Sequence, residues 1–281
     1  MTYIGIMEGR LLPPEDNRFQ CFPRERWDRE FELAAQAGLD CIEWIYDLYG
    51  SDVNPISTNP GIDQMKVHSR QHNIQVLSIC ADYFMDKPLV RATPEELEER
   101  LDMLFWLLRR GQLLGINRIV LPFVDASRIE TQAEFEGVIE ILKRVEPVAA
   151  ETHIEIHLET SLEPAHFADL LSKLPSPQIK ANYDSGNSSS LGYTPREEFA
   201  AYGNRVGSVH IKDRLRGGGT VPLGTGDADF PSLADCLKTS GYAGDFILQV
   251  ARGAPGDEVN WTRQNREYVV KNFINQRQAQ P

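Results

Sequence analysis

The sequence predicts an α/β protein with the (β/α)8 TIM barrel fold. Eight short runs rich in Ile, Val and Leu recur along the chain, as expected for strands that are covered on both faces. Longer segments of helical period separate these runs, so each unit reads as strand, loop, helix and short turn. Neither a GxGxxG motif after the first run nor a GxxxxGKS/T motif occurs, which disfavours an open nucleotide-binding sheet.

The eight predicted strands follow one another along the whole chain. They are YIGIM from Tyr3, LDCIEWI from Leu39, IQVLSIC from Ile74, INRIVLPFV from Ile116, IEIHLET from Ile154, IKANYD from Ile179, VGSVHIKD from Val206 and DFILQV from Asp245. Acidic residues interrupt the later hydrophobic stretches, so none of them is predicted to cross a membrane.

The segments between these strands carry helix start and stop signals. Three of them open with a capping box, in which a threonine is followed three residues later by a glutamate, at Thr93, Thr131 and Thr194. Three glycines follow helical segments shortly before the next strand and are predicted helix C-caps: Gly38, Gly115 and Gly241. No linker rich in Ser, Gly or Pro separates the units. The prediction is therefore one domain over residues 1–281, within the usual size of this barrel.

Composition and charge exclude several classes of protein. The chain has 29 Lys and Arg against 41 Asp and Glu, and the resulting net charge of −12 argues against binding a nucleic acid backbone. The four cysteines show no CxxC spacing, so neither a structural zinc site nor a redox pair is expected. The first residues show no basic leader followed by an apolar run. We therefore expect a cytoplasmic protein that binds neither nucleic acid nor a membrane.

Polar residues close the last four predicted strands, where a barrel of this kind places its active site. They are Glu159, Asp184, His210 and Gln249. The first three are one strand-and-helix unit apart, so we expect them side by side around the rim. Two carboxylates, an imidazole and an amide oxygen suit Mn²⁺, Mg²⁺ or Zn²⁺, and the sequence predicts such a site here. The alternative is that these side chains cap helices or pair with Arg and Lys.

Two further strand residues each allow a functional and a structural interpretation. His157 lies two residues before Glu159 and hence on the same inward face, as either a proton carrier or a hydrogen-bonded core residue. Glu43 lies at an inward-capable position of the second strand. It is either a base or substrate contact, or a structural partner of Arg10.

The loop after the seventh strand is positively charged, although the protein as a whole is acidic. It contains Lys212, Asp213, Arg214 and Arg216, followed by three glycines. Many barrels bind phosphate after strands seven and eight, so this loop is a predicted phosphate site. Arg10 and Arg252, at the ends of strands one and eight, are expected to add donors. The alternative is an exposed, flexible loop whose charges are only solvated.

Several motifs resemble those of a known family. The motifs are HIKD at 210–213, VPLGTGDADF from Val221, GYAGDFIL from Gly241, DSGN at 184–187 and the opening GIMEGRL. They are similar to segments of the xylose isomerase-like sugar phosphate isomerases and epimerases. The nearest subgroup is the L-ribulose and L-xylulose 5-phosphate 3-epimerases, often labelled hexulose-6-phosphate isomerase-like. The resemblance runs nearly end to end, and its HxKD and LGxGxxDF pair is specific to the superfamily, not to one reaction.

The resemblance implies a divalent metal held by four side chains on strands five to eight, two of them glutamates that also exchange a proton with the sugar. The corresponding residues are Glu159, Asp184, His210 and Gln249. A glutamine can coordinate through its carbonyl oxygen but cannot carry a proton at neutral pH. Glu159 is then the remaining base, and His157 or Glu43 is the second proton carrier. The loss of one acidic ligand also implies that the metal is weakly bound. The expected substrate contacts are Arg10, Asn187, Lys212, Asp213, Arg214 and Arg216.

The leading expectation is a metal-dependent isomerase or epimerase that moves a proton next to the carbonyl of a small sugar or sugar phosphate. Gln249 leaves two alternatives open, a lyase of the inosose dehydratase type and a non-catalytic sugar-binding barrel. A homo-oligomer is a further expectation. Trp261 and Tyr268 near the C-terminus either form a dimer contact or pack inward as part of the last barrel helix.

Overall fold

Eight parallel strands close into a barrel in this computed structural model, which describes residues 2–275. The barrel strands are β1 (Ile4–Met7), β2 (Cys41–Ile45), β3 (Gln75–Cys80), β4 (Arg118–Phe123), β5 (Glu155–Thr160), β6 (Ile179–Asp184), β7 (Val206–Ile211) and β10 (Phe246–Leu248). Two short strands, β8 (Asp213–Arg214) and β9 (Thr220–Val221), form an antiparallel ribbon in the loop between β7 and β10. All eight predicted strands are present, and the predicted TIM barrel fold is confirmed.

Helices surround the barrel and connect its strands. They are α1 (Arg29–Ala37), α2 (Asn59–His72), α3 (Tyr83–Asp86), α4 (Pro94–Leu114), α5 (Gln132–Thr152), α6 (Pro164–Ser172), α7 (Ser185–Leu191), α8 (Pro195–Tyr202), α9 (Phe230–Thr239) and α10 (Glu258–Val269), with single helical turns at Glu15–Asn17, Pro55–Ser57, Asp125–Ser127, Gly203–Arg205 and Val270–Ile274. The predicted capping boxes at Thr93, Thr131 and Thr194 are all formed. Gly38 and Gly115 end their helices in the left-handed conformation, as predicted.

The apolar core lies between the strands and the helices, because each strand is covered on both faces. Phe31, Leu104 and Val145 on the helices and Ile42 and Ile119 on the strands are fully buried there. This burial of large aliphatic and aromatic side chains supplies the main stabilising term of the fold.

The register of the parallel strands brings the strand-end residues to a common depth. Asp184 of β6 pairs with His210 of β7, and His210 in turn pairs with Ile247 of β10. Gln249 therefore follows directly beyond the end of β10. Glu159 of β5 lies opposite Pro122 of β4. Because all strands are parallel, their carboxyl ends form one mouth of the barrel.

Two arginines hold the long loop that follows β1. Arg252 donates to the backbone carbonyl groups of Gly9, Leu12 and Phe19. The Arg10 guanidinium donates to the Phe19 carbonyl group, and its carbon lies 4.1 Å from the Phe19 ring centroid. The hydrogen bonds of both guanidinium groups go to this loop, which counts against the expectation that the two arginines add donors at the mouth.

Two further observations concern the helices, namely their membrane-spanning character and the packing of the last one. None of the helices within residues 2–275 combines the length and apolar character that crossing a bilayer requires. Trp261 donates to the Ala251 carbonyl group, and Tyr268 packs edge-on against Phe230. This arrangement favours inward packing of the last helix over a dimer contact through these two aromatic residues.

Candidate active site

Glu159, Asp184 and His210 come together at the mouth of the barrel. All three are buried, and one ligand atom from each lies within 4.8 Å of the other two. His210 Nδ1 lies 3.3 Å from Glu159 Oε2 and 4.0 Å from Asp184 Oδ2. The ends of β5, β6 and β7 thus present two carboxylates and an imidazole to one point.

Asp184 divides its two oxygen atoms between two roles. Its Oδ1 caps α7 by accepting hydrogen bonds from the backbone N–H groups of Gly186, at 2.9 Å, and Asn187, at 2.8 Å. Its Oδ2 is buried and, within the described part of the chain, has no hydrogen-bond partner. A buried oxygen without a donor is costly, and a cation that it faces would offset that cost. Both parts of the alternative interpretation, helix capping and pairing with Arg or Lys, thus occur at Asp184, since Oδ1 caps α7 and Oδ2 lies 3.6 Å from Lys212 Nζ.

Two asparagine side chains orient Glu159. Asn182 Nδ2 donates to Oε2 at 3.0 Å, and Asn187 Nδ2 donates to Oε1 at 2.6 Å. A carboxylate oxygen has two lone pairs, so each oxygen keeps one for a further partner. Asn187 belongs to the DSGN segment and was expected at the site, whereas Asn182 lies mid-strand and sequence reasoning missed it.

Glu43 holds His210 from the opposite side of the barrel interior. Glu43 Oε1 lies 2.7 Å from His210 Nε2, and Ser78 Oγ donates to Glu43 Oε2 at 2.6 Å. Burial alone would lower the pKa of His210, but the charges of Glu43 and Glu159 raise it to about 10. The proposed pairing of Glu43 with Arg10 is wrong, because the Arg10 guanidinium binds Phe19 and Gln20. Glu43 is fully buried and acts on the ring of His210.

Gln249 makes different contacts from those of a metal ligand. Its Oε1 accepts a hydrogen bond from Lys212 Nζ at 2.9 Å, and its Nε2 donates to Gln20 Oε1 at 3.2 Å. Lys212 Nζ also lies 3.6 Å from Asp184 Oδ2. The amide oxygen that was expected to complete the cation site therefore holds an ammonium group.

His157 lies deeper in the barrel than Glu159. Its ring contacts Ser208 Oγ at 2.7 Å and Glu155 Oε2 at 2.8 Å. Burial lowers the pKa of His157 to about 4, so the ring is neutral at neutral pH. Within residues 2–275, His157 is absent from the lining of the mouth cavity. This placement favours the hydrogen-bonded core interpretation over a role as proton carrier.

The mouth opens into a cavity of about 380 Å³. Of the residues expected at the site, its wall contains Glu159, Asn187, Lys212, Arg214 and Gln249. A volume of this size accommodates a small ligand such as a monosaccharide.

The loop after β7 divides the expected phosphate-binding residues into two groups. Arg214 lines the cavity and donates to Asn187 Oδ1 at 2.9 Å. Asp213 is fully buried, and its carboxylate accepts hydrogen bonds from the backbone N–H groups at Gly224, Gly226 and Ala228. Asp213 therefore organises the loop instead of facing a substrate. These hydrogen bonds disfavour the alternative of a flexible loop whose charges are only solvated.

Arg10 and Arg216 also lie away from the cavity wall in the described part of the chain. The backbone N–H of Arg216 donates to Asp227, and its guanidinium lies against Gly192. Of the six residues expected to contact the substrate, Asn187, Lys212 and Arg214 lie on the cavity wall and are placed to do so.

Gln20 and Asp82 are among the cavity-wall residues that sequence reasoning missed. Gln20 Nε2 donates to Asp82 Oδ2 at 2.7 Å, and Cys80 Sγ lies 3.1 Å from Asp82 Oδ1. Burial raises the pKa of Asp82 to about 6, with Asp47 and Glu159 adding to the shift. Asp82 lies two residues beyond the end of β3, so the strand-end rule finds it when it is applied to every strand. Gln20 lies in a long loop, and no local pattern marks it.

The donor set at the mouth fits a divalent cation. It combines two carboxylate oxygens with an imidazole nitrogen, a mixture that suits Mg²⁺, Mn²⁺ or Zn²⁺. Asp184 Oδ2 supports this assignment most directly, because among the described residues it has no hydrogen-bond partner and faces a positive charge, that of Lys212 Nζ at 3.6 Å. Glu159, Asp184 and His210 are the residues that could hold the ion.

Comparison with known proteins agrees with this architecture. The chain is 23% identical to L-ribulose-5-phosphate 3-epimerase UlaE of Escherichia coli (strain K12) over 256 residues, which cover 87% of this chain and 89% of that protein. It is 24% identical over 237 residues to UlaE of Shigella flexneri serotype 5b (strain 8401), covering 80% of this chain and 82% of that protein. The class predicted from the sequence, sugar isomerase or epimerase, is the class of these named epimerases.

Solved structures share the same fold. An L-ribulose 3-epimerase superposes with a TM-score of 0.77 at 17% identity, covering 99% of this chain and 96% of that chain. A D-allulose 3-epimerase from Methylomonas sp., solved with D-allulose, gives a TM-score of 0.72 at 17% identity, covering 97% of both chains. An IOLI protein solved with a zinc atom gives 0.78 at 15% identity, covering 97% of this chain and 99% of that chain.

A family model matches the chain and agrees with the resemblance noted in the sequence. That model, described as xylose isomerase-like TIM barrel, matches residues 31–271. The match spans seven of the eight barrel strands and includes Glu159, Asp184, His210 and Gln249. The chain belongs to the xylose isomerase-like TIM barrel family.

Proposed function

We propose that this protein is a metal-dependent isomerase or epimerase that transfers a proton on the carbon next to the carbonyl group of a small sugar or sugar phosphate. The whole chain would act as one barrel domain. The observation that supports this most strongly is the convergence of Glu159, Asp184 and His210 within 4.8 Å at the mouth. The named epimerases among the relatives point to the same chemistry.

Glu159, Asp184 and His210 would hold the divalent cation. When bound, such a cation polarises the carbonyl and hydroxyl oxygens of a sugar and so acidifies the neighbouring C–H bond. Glu159 accepts the proton, because it is the one carboxylate of this triad that also lines the cavity. Asn182 and Asn187 fix the plane of the Glu159 carboxylate, which directs its free lone pairs toward the substrate.

Asp82 is the proposed second proton carrier. Epimerisation removes a proton from one face of a carbon and returns one to the other face, so it normally requires two groups that exchange protons. Gln249 cannot do so, and Glu43 and His157 are buried away from the cavity wall. Asp82 lies on that wall, and burial raises its pKa to about 6, so both of its protonation states are accessible near neutral pH.

Arg18 and Arg214 are the proposed contacts for a phosphate group on the sugar. Both line the cavity, and Arg214 is held in place by the Gly218 carbonyl group and Asn187. A guanidinium group binds phosphate through paired, charge-assisted hydrogen bonds. A cation on the wall of an otherwise acidic protein also attracts an anionic ligand to the mouth.

Solvent deuterium exchange tests the proposal directly. The protein is incubated in D₂O with Mn²⁺ and a panel of pentuloses, hexuloses and their phosphates, and deuterium at the carbon next to the carbonyl is followed by NMR. We expect exchange with at least one of these sugars and its loss in Glu159→Gln. Absence of exchange with every sugar, together with no bound Mn²⁺, would contradict the proposal.

The contact between Gln249 and Lys212 favours one further candidate, a dehydratase. Elimination of water needs a base and an acid for the leaving hydroxyl group, and a carboxylate at position 249 is not required. Mass spectrometry of the product separates the two reactions, because a dehydratase product is lighter by one water molecule. A chain that binds a sugar but yields neither exchange nor mass loss would be a binding protein.

A further inference from the structure

The Lys212 ammonium group lies on the open side of the proposed cation site. Its Nζ is 3.6 Å from Asp184 Oδ2, the carboxylate oxygen that has no hydrogen-bond partner within the described residues. The same nitrogen donates to Gln249 Oε1 at 2.9 Å. Lys212 is therefore placed between Asp184, which ends β6, and Gln249, which follows β10.

The backbone and the aliphatic stem of Lys212 hold the ammonium group in this position. Ser185 Oγ donates to the Lys212 carbonyl group at 2.7 Å and accepts from its N–H group at 3.0 Å. The stem lies against Gly186, where a Cβ atom would come within 2.6 Å of Lys212 Cγ. Only about a tenth of the side chain is exposed, at 11%. A lysine held in this way is not a freely moving surface cation.

We propose that Lys212 is an internal cation of this site and that a divalent metal binds only by displacing its ammonium group from Asp184. The inference rests on the proposed cation site and deepens it. Two positive charges a few ångströms apart repel each other strongly in a partly buried site, so the ammonium group and the metal compete for Asp184. Gln249 contributes by holding the ammonium group with a neutral oxygen, where a glutamate would add a fourth ligand to the metal, and the third that is negatively charged.

Mn²⁺ titration of the natural protein and of Lys212→Met provides the test. Methionine retains the apolar stem over Gly186 and removes the charge, and Lys212→Gln serves as a second variant if Lys212→Met does not fold. Free Mn²⁺ is measured by electron paramagnetic resonance, and the metal-dependent rise in Tm provides an independent readout. We expect both substitutions to raise the Mn²⁺ affinity about tenfold or more.

Arg18→Met is the matched control. It removes one positive charge from the same cavity wall, and the Arg18 guanidinium carbon lies over the Tyr49 ring, 4.4 Å from its centroid. We expect it to change the Mn²⁺ affinity by less than about threefold, since long-range interactions between charges at a solvated mouth are screened. An equal gain from Arg18→Met would show that net charge, and not displacement of Lys212, sets the affinity, and would overturn the inference.

A double-mutant cycle with Gln249→Glu tests the contact between Lys212 and Gln249. A glutamate at this position pairs with Lys212 in the natural background and is free for the metal in the Lys212→Met background. We therefore expect Gln249→Glu to raise Mn²⁺ affinity more in the Lys212→Met protein than in the natural one. Equal gains in both backgrounds would overturn the inference, as would unchanged or weaker binding in Lys212→Met and Lys212→Gln.

These metal titrations are independent of catalysis. If the natural protein shows no deuterium exchange with any sugar but Lys212→Met binds Mn²⁺ more tightly, the proposed reaction fails and the inference stands. If exchange occurs and removal of Lys212 leaves Mn²⁺ binding unchanged, the proposed reaction stands and the inference fails.

Discussion

Glu43 Oε1 lies 2.7 Å from His210 Nε2, although the two residues are 167 positions apart in the chain. Both are fully buried, and although burial raises the pKa of Glu43, the charges of His210 and Arg118 and the hydrogen bonds with His210 and Ser78 together hold it below its usual value. The contact crosses the barrel interior from β2 to β7 and fixes the orientation of the imidazole ring. It thereby determines that Nδ1, and not Nε2, faces Glu159 and Asp184.

Substitution of Glu43 tests this orienting contact. In Glu43→Gln the imidazole ring loses its charged partner, and we expect the Mn²⁺ affinity and the exchange rate to fall about 10- to 100-fold. Isothermal titration with Mn²⁺ and the deuterium exchange assay measure the two effects. Glu155→Gln is the control, because Glu155 binds His157 and Lys180 deeper in the barrel. Natural affinity and rate in Glu43→Gln would show that the ring needs no such partner.

The proposed proton transfer by Asp82 predicts a pH dependence. Since burial raises the pKa of Asp82 to about 6, kcat/KM of the natural enzyme should show an inflection near pH 6. In Asp82→Asn we expect loss of this inflection and a fall in epimerisation of about a hundredfold or more. Asp86→Asn, on the exposed part of the same cavity wall, should leave both unchanged. An unaltered pH profile in Asp82→Asn would exclude Asp82 as a proton carrier.

The raised pKa of Glu30 predicts that the stability of the fold depends on pH, independently of catalysis. Burial beneath the loop after β1 raises the pKa of Glu30 from 4.5 to about 8. Between these values the folded state keeps a proton that the unfolded state releases, so stability falls as the pH rises through this window. At about 1.4 kcal/mol per pKa unit, the effect amounts to several kcal/mol.

Urea unfolding from pH 5 to pH 9 measures this effect. We expect Glu30→Gln to flatten the decline in the free energy of unfolding and to be more stable than the natural protein above about pH 8. Glu32→Gln, whose side chain is 44% exposed on the same helix, is the matched control and should retain the decline. The same slope in Glu30→Gln and the natural protein would assign the decline to other groups.

Substitution of Arg214 and of Arg216 distinguishes an arginine that binds phosphate from one whose charge only lies in the same loop. Arg214 lines the cavity, whereas Arg216 lies against Gly192, outside the cavity wall. We expect Arg214→Gln to raise KM for a phosphorylated sugar about tenfold or more and to leave KM for the unphosphorylated sugar nearly unchanged. Arg216→Gln should change neither value. An equal rise for both sugars would show that Arg214 does not bind phosphate.

Local patterns were sufficient to predict the fold. The capping box at Thr93 and the left-handed glycine at Gly115 mark the two ends of α4 in the sequence and in the structure alike. Helical period and strand composition depend on neighbouring residues, so both can be recognised without knowledge of the tertiary contacts. The barrel then places strand ends at one mouth, and this made Glu159, Asp184 and His210 predictable as a group.

The contacts within the mouth were harder to predict, because they join distant elements. Arg10 was expected either as Glu43's partner or as a substrate contact, but its guanidinium binds the loop that contains Phe19 and Gln20. Asp213 was expected at the substrate, but its carboxylate accepts the backbone N–H groups of its own loop. A charged residue near a site has several possible partners, and only the path of the loops decides among them.

The sequence by itself determined the barrel, the order of its strands along the chain and the residues that end them. The tertiary structure decided which of these side chains touch, as in the contact of Lys212 with Gln249 and that of Gln249 with Gln20, which lies 229 residues earlier. The physical reason is the separation along the chain of the residues that interact. Secondary structure follows from local backbone and burial preferences, whereas closure of the barrel brings the first loop against the last strand and so sets the chemistry of the mouth.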